Sequence, residues 1–152
     1  MSLLPRADTI PTRSWILGYL PIVPLVAAGI MVWFVGPVTM AFITAGAIYW
    51  SAILFFFLAG VRRGLSFFTE GGPQPAQLIT MGLLFALGLV IFLMPYAGIA
   101  VALAALGFLG VAVIDPHAAR RGEVPAFFRI LRPPQMGLAA LSMTSILLAL
   151  LF

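Results

Sequence analysis

The chain has 152 residues, of which 63% are apolar and only 8% charged, with a mean hydropathy of +1.18. A soluble domain keeps about a quarter of its residues charged, so this composition excludes a water-solvated globule and implies one compact domain solvated by lipid. The formal charge of +4 is eight arginines against four acids, and the arginines are scattered over short segments, a pattern that fits anionic lipid headgroups rather than nucleic acid.

Crossing ~30 Å of hydrocarbon at about 1.5 Å per residue takes about 20 apolar residues. The first such run is 15–35, beginning at Trp15. Pro21 and Pro24 remove backbone donors from it and predict a kink, and Gly36-Pro37 predicts a turn after it. Arg13 before this run and the Ala45-Gly46-Ala47 box resemble a secretory signal, but the run exceeds a signal core and the box lies inside the next run. The second run, 38–61, is rich in aromatics and stops at Arg62-Arg63, with Gly71-Gly72-Pro73 as a later break. The third (76–94) and fourth (96–114) meet at Pro95. Joined, they would be too long for one tilted crossing, so a hairpin is predicted there. Asp115-Pro116 is read as the end of the fourth run. The fifth, 134–152, starts with Pro134 in a first helical turn. Before it, 124–132 reads as a short interfacial helix, with Phe127, Phe128, Ile130 and Leu131 on one side and Arg129 and Arg132 in the headgroups. An irregular loop leaning on the bilayer is the alternative. The fold class is therefore an all-α membrane bundle of five transmembrane helices forming a single domain over 1–152.

All eight arginines and all four acids fall in the N-terminal arm, the second gap and the fourth gap; the other gaps and the C-terminus carry no charge. The positive-inside rule then predicts a bacterial inner membrane protein with a cytoplasmic N-terminus and a periplasmic C-terminus, a mitochondrial inner membrane being the alternative.

Candidate chemistry is sparse. There is no cysteine, and His117 is the one histidine, so neither thiolate chemistry nor a multi-histidine metal or haem site is available. The five runs contain no ionisable group, which argues against a proton-coupled transporter. No phosphate loop, nucleophile triad or metalloprotease helix is present, and no catalytic, cofactor-binding or metal-binding residue is predicted. Two features remain. Gly60 and Gly64, and more weakly Ala100 and Ala104, have the small-residue spacing that lets helices approach, either within the chain or against another subunit. Arg62 and Arg63 anchor the second helix in headgroups, or bind an anionic ligand or a partner carboxylate. They point about 100° apart on a helix, so one of them is expected to turn toward the bundle, where Glu70, Asp115 and Glu123 are the available partners.

Three stretches carry a resemblance: Trp15-Ile-Leu-Gly-Tyr-Leu-Pro-Ile-Val-Pro24, Tyr49-Trp-Ser-Ala-Ile-Leu-Phe-Phe-Phe-Leu-Ala-Gly-Val-Arg-Arg-Gly64, and Pro125-Ala-Phe-Phe-Arg-Ile-Leu-Arg132. In this order they resemble a family of small polytopic membrane proteins, domain of unknown function 3429. The family tends to show His-Trp or Arg-Trp where this chain has Arg62-Arg63, and Trp-Tyr where it has Phe127-Phe128. The resemblance implies a five-helix inner-membrane protein and supplies no activity. The expected role is a non-catalytic accessory subunit or assembly factor of a larger respiratory or photosynthetic membrane complex, without cofactor, whose partners are lipids and other membrane subunits. The alternative is a small carrier of a lipid-like or quinone-like molecule, with Arg62 or Arg63 at its polar head.

Overall fold

The computed structural model describes residues 12–152, so the N-terminal arm with Arg6 and Asp8 lies outside the described residues. The chain is a bundle of five membrane-spanning helical segments, each long and apolar enough to cross a bilayer.

The first span is built from α1 (Thr12–Tyr19), a 3-10 turn (Leu20–Ile22) and α2 (Val23–Met31). The tighter turn sits where Pro21 and Pro24 lack amide donors. The Val23 N–H donates to the Leu20 carbonyl, and Trp50 Nε1 of the next span donates to the Pro21 carbonyl at 2.8 Å. The span ends at Met31, before the Val35 expected, because residues 32–35 already turn toward Pro37.

Helix α3 (Pro37–Ser66) has 30 residues and continues past Arg62 and Arg63. Its two faces differ. Thr44, Ile48, Ser51, Phe55, Leu58, Arg62 and Ser66 are buried on one, whereas Phe42, Tyr49, Ile53, Phe57 and Phe67 are exposed on the other. Helices α4 (Pro75–Leu93) and α5 (Ala97–Arg120) form the expected hairpin around Pro95. Helix α5 does not stop at Asp115-Pro116 but runs one turn further, with Pro116 inside it.

Helix α6 (Phe128–Leu151) also departs from expectation. Residues 128–132 are not a separate interfacial helix; they are the first turn of the last span, and Pro133 and Pro134 lie inside that span. Two consecutive prolines remove two helical donors, but the turn before them is fixed by its side chains, as described below.

The core is centred on Phe55 and Phe108, whose rings stack at 4.6 Å, with Leu25, Ile91, Val101, Met143 and Ile146 around them. Ala100 and Ala104 on α5 and Ala139 and Ala140 on α6 are buried, so the α5–α6 pair packs closely. Gly29 serves a similar close approach between α2 and α6: a Cβ there would lie 2.9 Å from the Ser142 carbonyl oxygen. By contrast, a Cβ at Gly60 or Gly64 would meet nothing within 4 Å, so no described helix of the chain packs against that pair.

Candidate functional site: a buried charge cluster at the arginine-bearing end

Arg62, Asp115, Glu123 and Arg132 converge from α3, α5, the following loop and α6, with exposures of 3%, 3%, 4% and 7%. Arg62 Nη2 donates to Asp115 Oδ1 at 2.5 Å, and Arg132 Nε lies 3.1 Å from Asp115 Oδ2. One carboxylate thus bridges two guanidinium groups from different helices. Arg62 Nη1 faces Glu123 Oε2 at 4.0 Å, and the other Glu123 oxygen pairs with exposed Arg121 at 2.7 Å. The buried set carries two positive and two negative charges. That balance is what burial demands, because an unpaired buried ion costs several kcal/mol.

Local sequence builds each part. Gly122 has φ of 74°, a left-handed conformation that favours glycine. It closes α5 with two reversed bonds, from the Gly122 N–H to the Ala119 carbonyl (3.3 Å) and from the Glu123 N–H to the Ala118 carbonyl (3.0 Å). This is the helix stop that satisfies terminal carbonyls, and it turns Glu123 back over the bundle toward Arg62. Arg132 stacks on the Phe128 ring at 4.3 Å, one turn earlier on the same helix. Its Nη1 donates to Gln135 Oε1 at 3.2 Å.

Neutral groups extend the cluster to every span. The Gln135 side-chain amide donates to the Gly18 carbonyl in the first span. Gln77, at the start of α4, donates to the Glu123 carbonyl and to Thr69 Oγ1, each at 3.0 Å. Its Oε1 accepts the Gln74 N–H at 3.0 Å. All five spans are therefore joined by polar contacts at one end of the bundle.

The structure separates the arginines that the sequence grouped. Of the Arg62–Arg63 pair, Arg62 is the one that turns inward, and it meets two of the three acids expected as partners. Arg63 stays outside the cluster, half-buried, stacked on Phe67 at 4.3 Å and donating to Ser66 Oγ at 3.4 Å. Arg129 is exposed. Arg132 is not in the headgroups, because the helix start at Phe128 points it into the bundle. The expectation that the spans hold no ionisable group is corrected in the same way: Arg62, Asp115 and Arg132 belong to α3, α5 and α6, and all three are buried within the bundle. Gln77 and Gln135 were legible only as polar residues near helix ends.

Among the described residues no group of three or more His, Cys, Asp or Glu is placed to hold a metal ion. His117 Nδ1 lies 2.8 Å from the Val113 carbonyl on the exposed side of α5. Every carboxylate of the cluster faces an arginine, and these pairs link α3, α5, the turn after α5, and α6.

No curated protein and no solved structure matches the chain. A family model does match, over residues 10–151, nearly the whole of the described bundle. The chain belongs to the protein family of unknown function DUF3429.

Proposed function

We propose that the protein is a non-catalytic accessory subunit or assembly factor of a larger inner-membrane complex, respiratory or photosynthetic in type. The observation that carries this reading is the outward face of α3. Gly46, Gly60 and Gly64 lie on one stripe with Phe42, Tyr49, Ile53, Phe57 and Phe67, within about 80° of one another at 100° per residue. A Cβ at any of these three glycines would meet open space. Small residues between aromatics allow another helix to approach the backbone, which drives association in lipid, where apolarity alone does not. The carrier reading, with Arg62 holding a polar head, is less well supported, because Arg62 already pairs with Asp115 and faces Glu123.

The experiment is purification in mild detergent followed by native mass spectrometry. A stoichiometric assembly with other membrane proteins is expected. Gly60→Leu with Gly64→Leu should release it while leaving the monomer folded, since a Cβ at either position meets no described atom within 4 Å. Recovery of a monomer or homo-oligomer alone contradicts the reading.

We further propose that the arginine-bearing end is cytoplasmic, in a bacterial inner membrane. A reporter that works only in the periplasm, fused after Phe152, is then active; activity of one that works only in the cytoplasm contradicts this orientation.

A further inference from the structure

The proline kink of the first span opens a continuous groove in the lipid-facing surface. Near the arginine-bearing end lies a cavity of about 210 Å³ between the first span, α3 and α6, where Ser14, Arg132 and Gln135 are the polar lining residues. Further along, a second depression of about 510 Å³ is wholly apolar, with Pro24, Trp50 and Ile53 among its walls. The two share Pro21, Leu54 and Phe57, so they form one trough. From Ser14 to Pro24 the helical rise is about 15 Å at 1.5 Å per residue. That is about half of a ~30 Å hydrocarbon core, the depth of one leaflet.

The polar end is built from buried groups. Arg132 is 7% exposed and Gln135 is 3% exposed. Arg132 Nη1 donates to Gln135; its buried Nε faces Asp115 Oδ2 at 3.1 Å without making a hydrogen bond, and among the described residues Nη2 makes none either. An arginine offers five N–H donors, and a phosphate accepts from such a fork readily. The described charges at this end are seven arginines against three carboxylates, so the surrounding field favours an anion.

We propose that this groove is a specific site for one anionic phospholipid of the leaflet on the arginine-bearing side. The phosphate meets Arg132 Nη2 and the Ser14 hydroxyl, and an acyl chain lies along Pro21, Leu54 and Phe57 toward Trp50. Gln135 is a positioning residue: it holds Arg132 through its carbonyl oxygen while its amide is tied to Gly18. The groove borders the glycine stripe of α3, sharing Ile53 and Phe57 with it, so the lipid would lie beside a helix seated on Gly60 and Gly64.

The test uses the full chain reconstituted in vesicles of equal parts phosphatidylglycerol and phosphatidylethanolamine, with a neutral quinone added, then extracted in mild detergent for native mass spectrometry. One phosphatidylglycerol retained per chain is expected. Leu17→Trp puts a large ring at an exposed position on the rim of the cavity without entering the core, and should lower retention by about tenfold or more. Leu83→Trp, exposed on α4 and away from the groove, should leave retention unchanged, as should Gly60→Leu. Equal retention by Leu17→Trp, equal retention of phosphatidylethanolamine, preference for the quinone, or no retained lipid would each overturn the proposal. Arg132→Gln is the less clean variant, because it also unpairs Asp115.

Discussion

The two ends of this bundle are held by different means. At the arginine-bearing end, ion pairs and amide hydrogen bonds centred on Asp115, Glu123, Gln77 and Gln135 reach all five spans. At the other end the first and last spans are joined without charge: Trp33 Nε1 donates to Ser145 Oγ at 2.9 Å, and that hydroxyl donates to the Gly29 carbonyl at 2.7 Å. Close backbone approach at Gly29 completes this second tie. The difference teaches that arginines which mark a membrane topology can also be its fastener. Placed one turn inside a helix end, an arginine is buried by protein rather than by lipid and is paired there.

Removing the shared carboxylate should break this comparison most strongly. Asp115→Ala leaves two buried guanidinium groups without their partner, and loss of one member of a buried pair costs about 3–5 kcal/mol. Thermal unfolding in detergent should show the largest fall of any single change described here. At the uncharged end, Gly29→Val forces α2 away from Ser142. Overpacking of this kind costs about 1–3 kcal/mol, read in the same assay, with the Arg62–Asp115 pair left in place. Gly122→Ala should cost about 1 kcal/mol, because the residue keeps a left-handed φ that a Cβ disfavours. Trp33→Phe removes a single neutral hydrogen bond and should cost about 0.5–1.5 kcal/mol. Arg63→Ala should have the smallest effect, because the half-buried side chain is stacked on Phe67 and pairs with no carboxylate of the cluster.

Much of the fold was legible in the sequence. Five apolar runs of spanning length, the Pro21–Pro24 kink and the hairpin at Pro95 follow from hydrocarbon thickness and missing backbone donors. Prolines mislead at two places: the sequence marks Pro116 as the end of the fourth run and Pro134 as the start of the fifth, yet α5 passes through Pro116 and α6 through Pro133 and Pro134. Their local cost is offset by contacts that a linear reading does not contain: Asp115 and Arg132, each next to one of these prolines, are held together at 3.1 Å across two helices. The cluster itself was half visible. The divergent directions of Arg62 and Arg63 on a helix pointed one of them inward, and Asp115 and Glu123 were the acids within reach. That Arg132 shares the same carboxylate depends on α6 starting at Phe128, which apolar periodicity alone did not reveal. The signal that could have revealed it is opposite charges close to the ends of three spans that share one membrane face. The Gly60–Gly64 spacing was visible, but whether it served the chain's own helices depended on the packing of the whole bundle.

The central claim is that Arg62 and Asp115 act as a buried, mutually dependent pair that fastens the bundle. A double-mutant cycle of Arg62→Ala and Asp115→Ala on thermal or denaturant unfolding in detergent tests it most directly. Residues in one buried ionic network couple by about 0.5–3 kcal/mol, and a coupling of about 1.5 kcal/mol or more is predicted. Additivity of the two changes within about 0.5 kcal/mol would contradict the account.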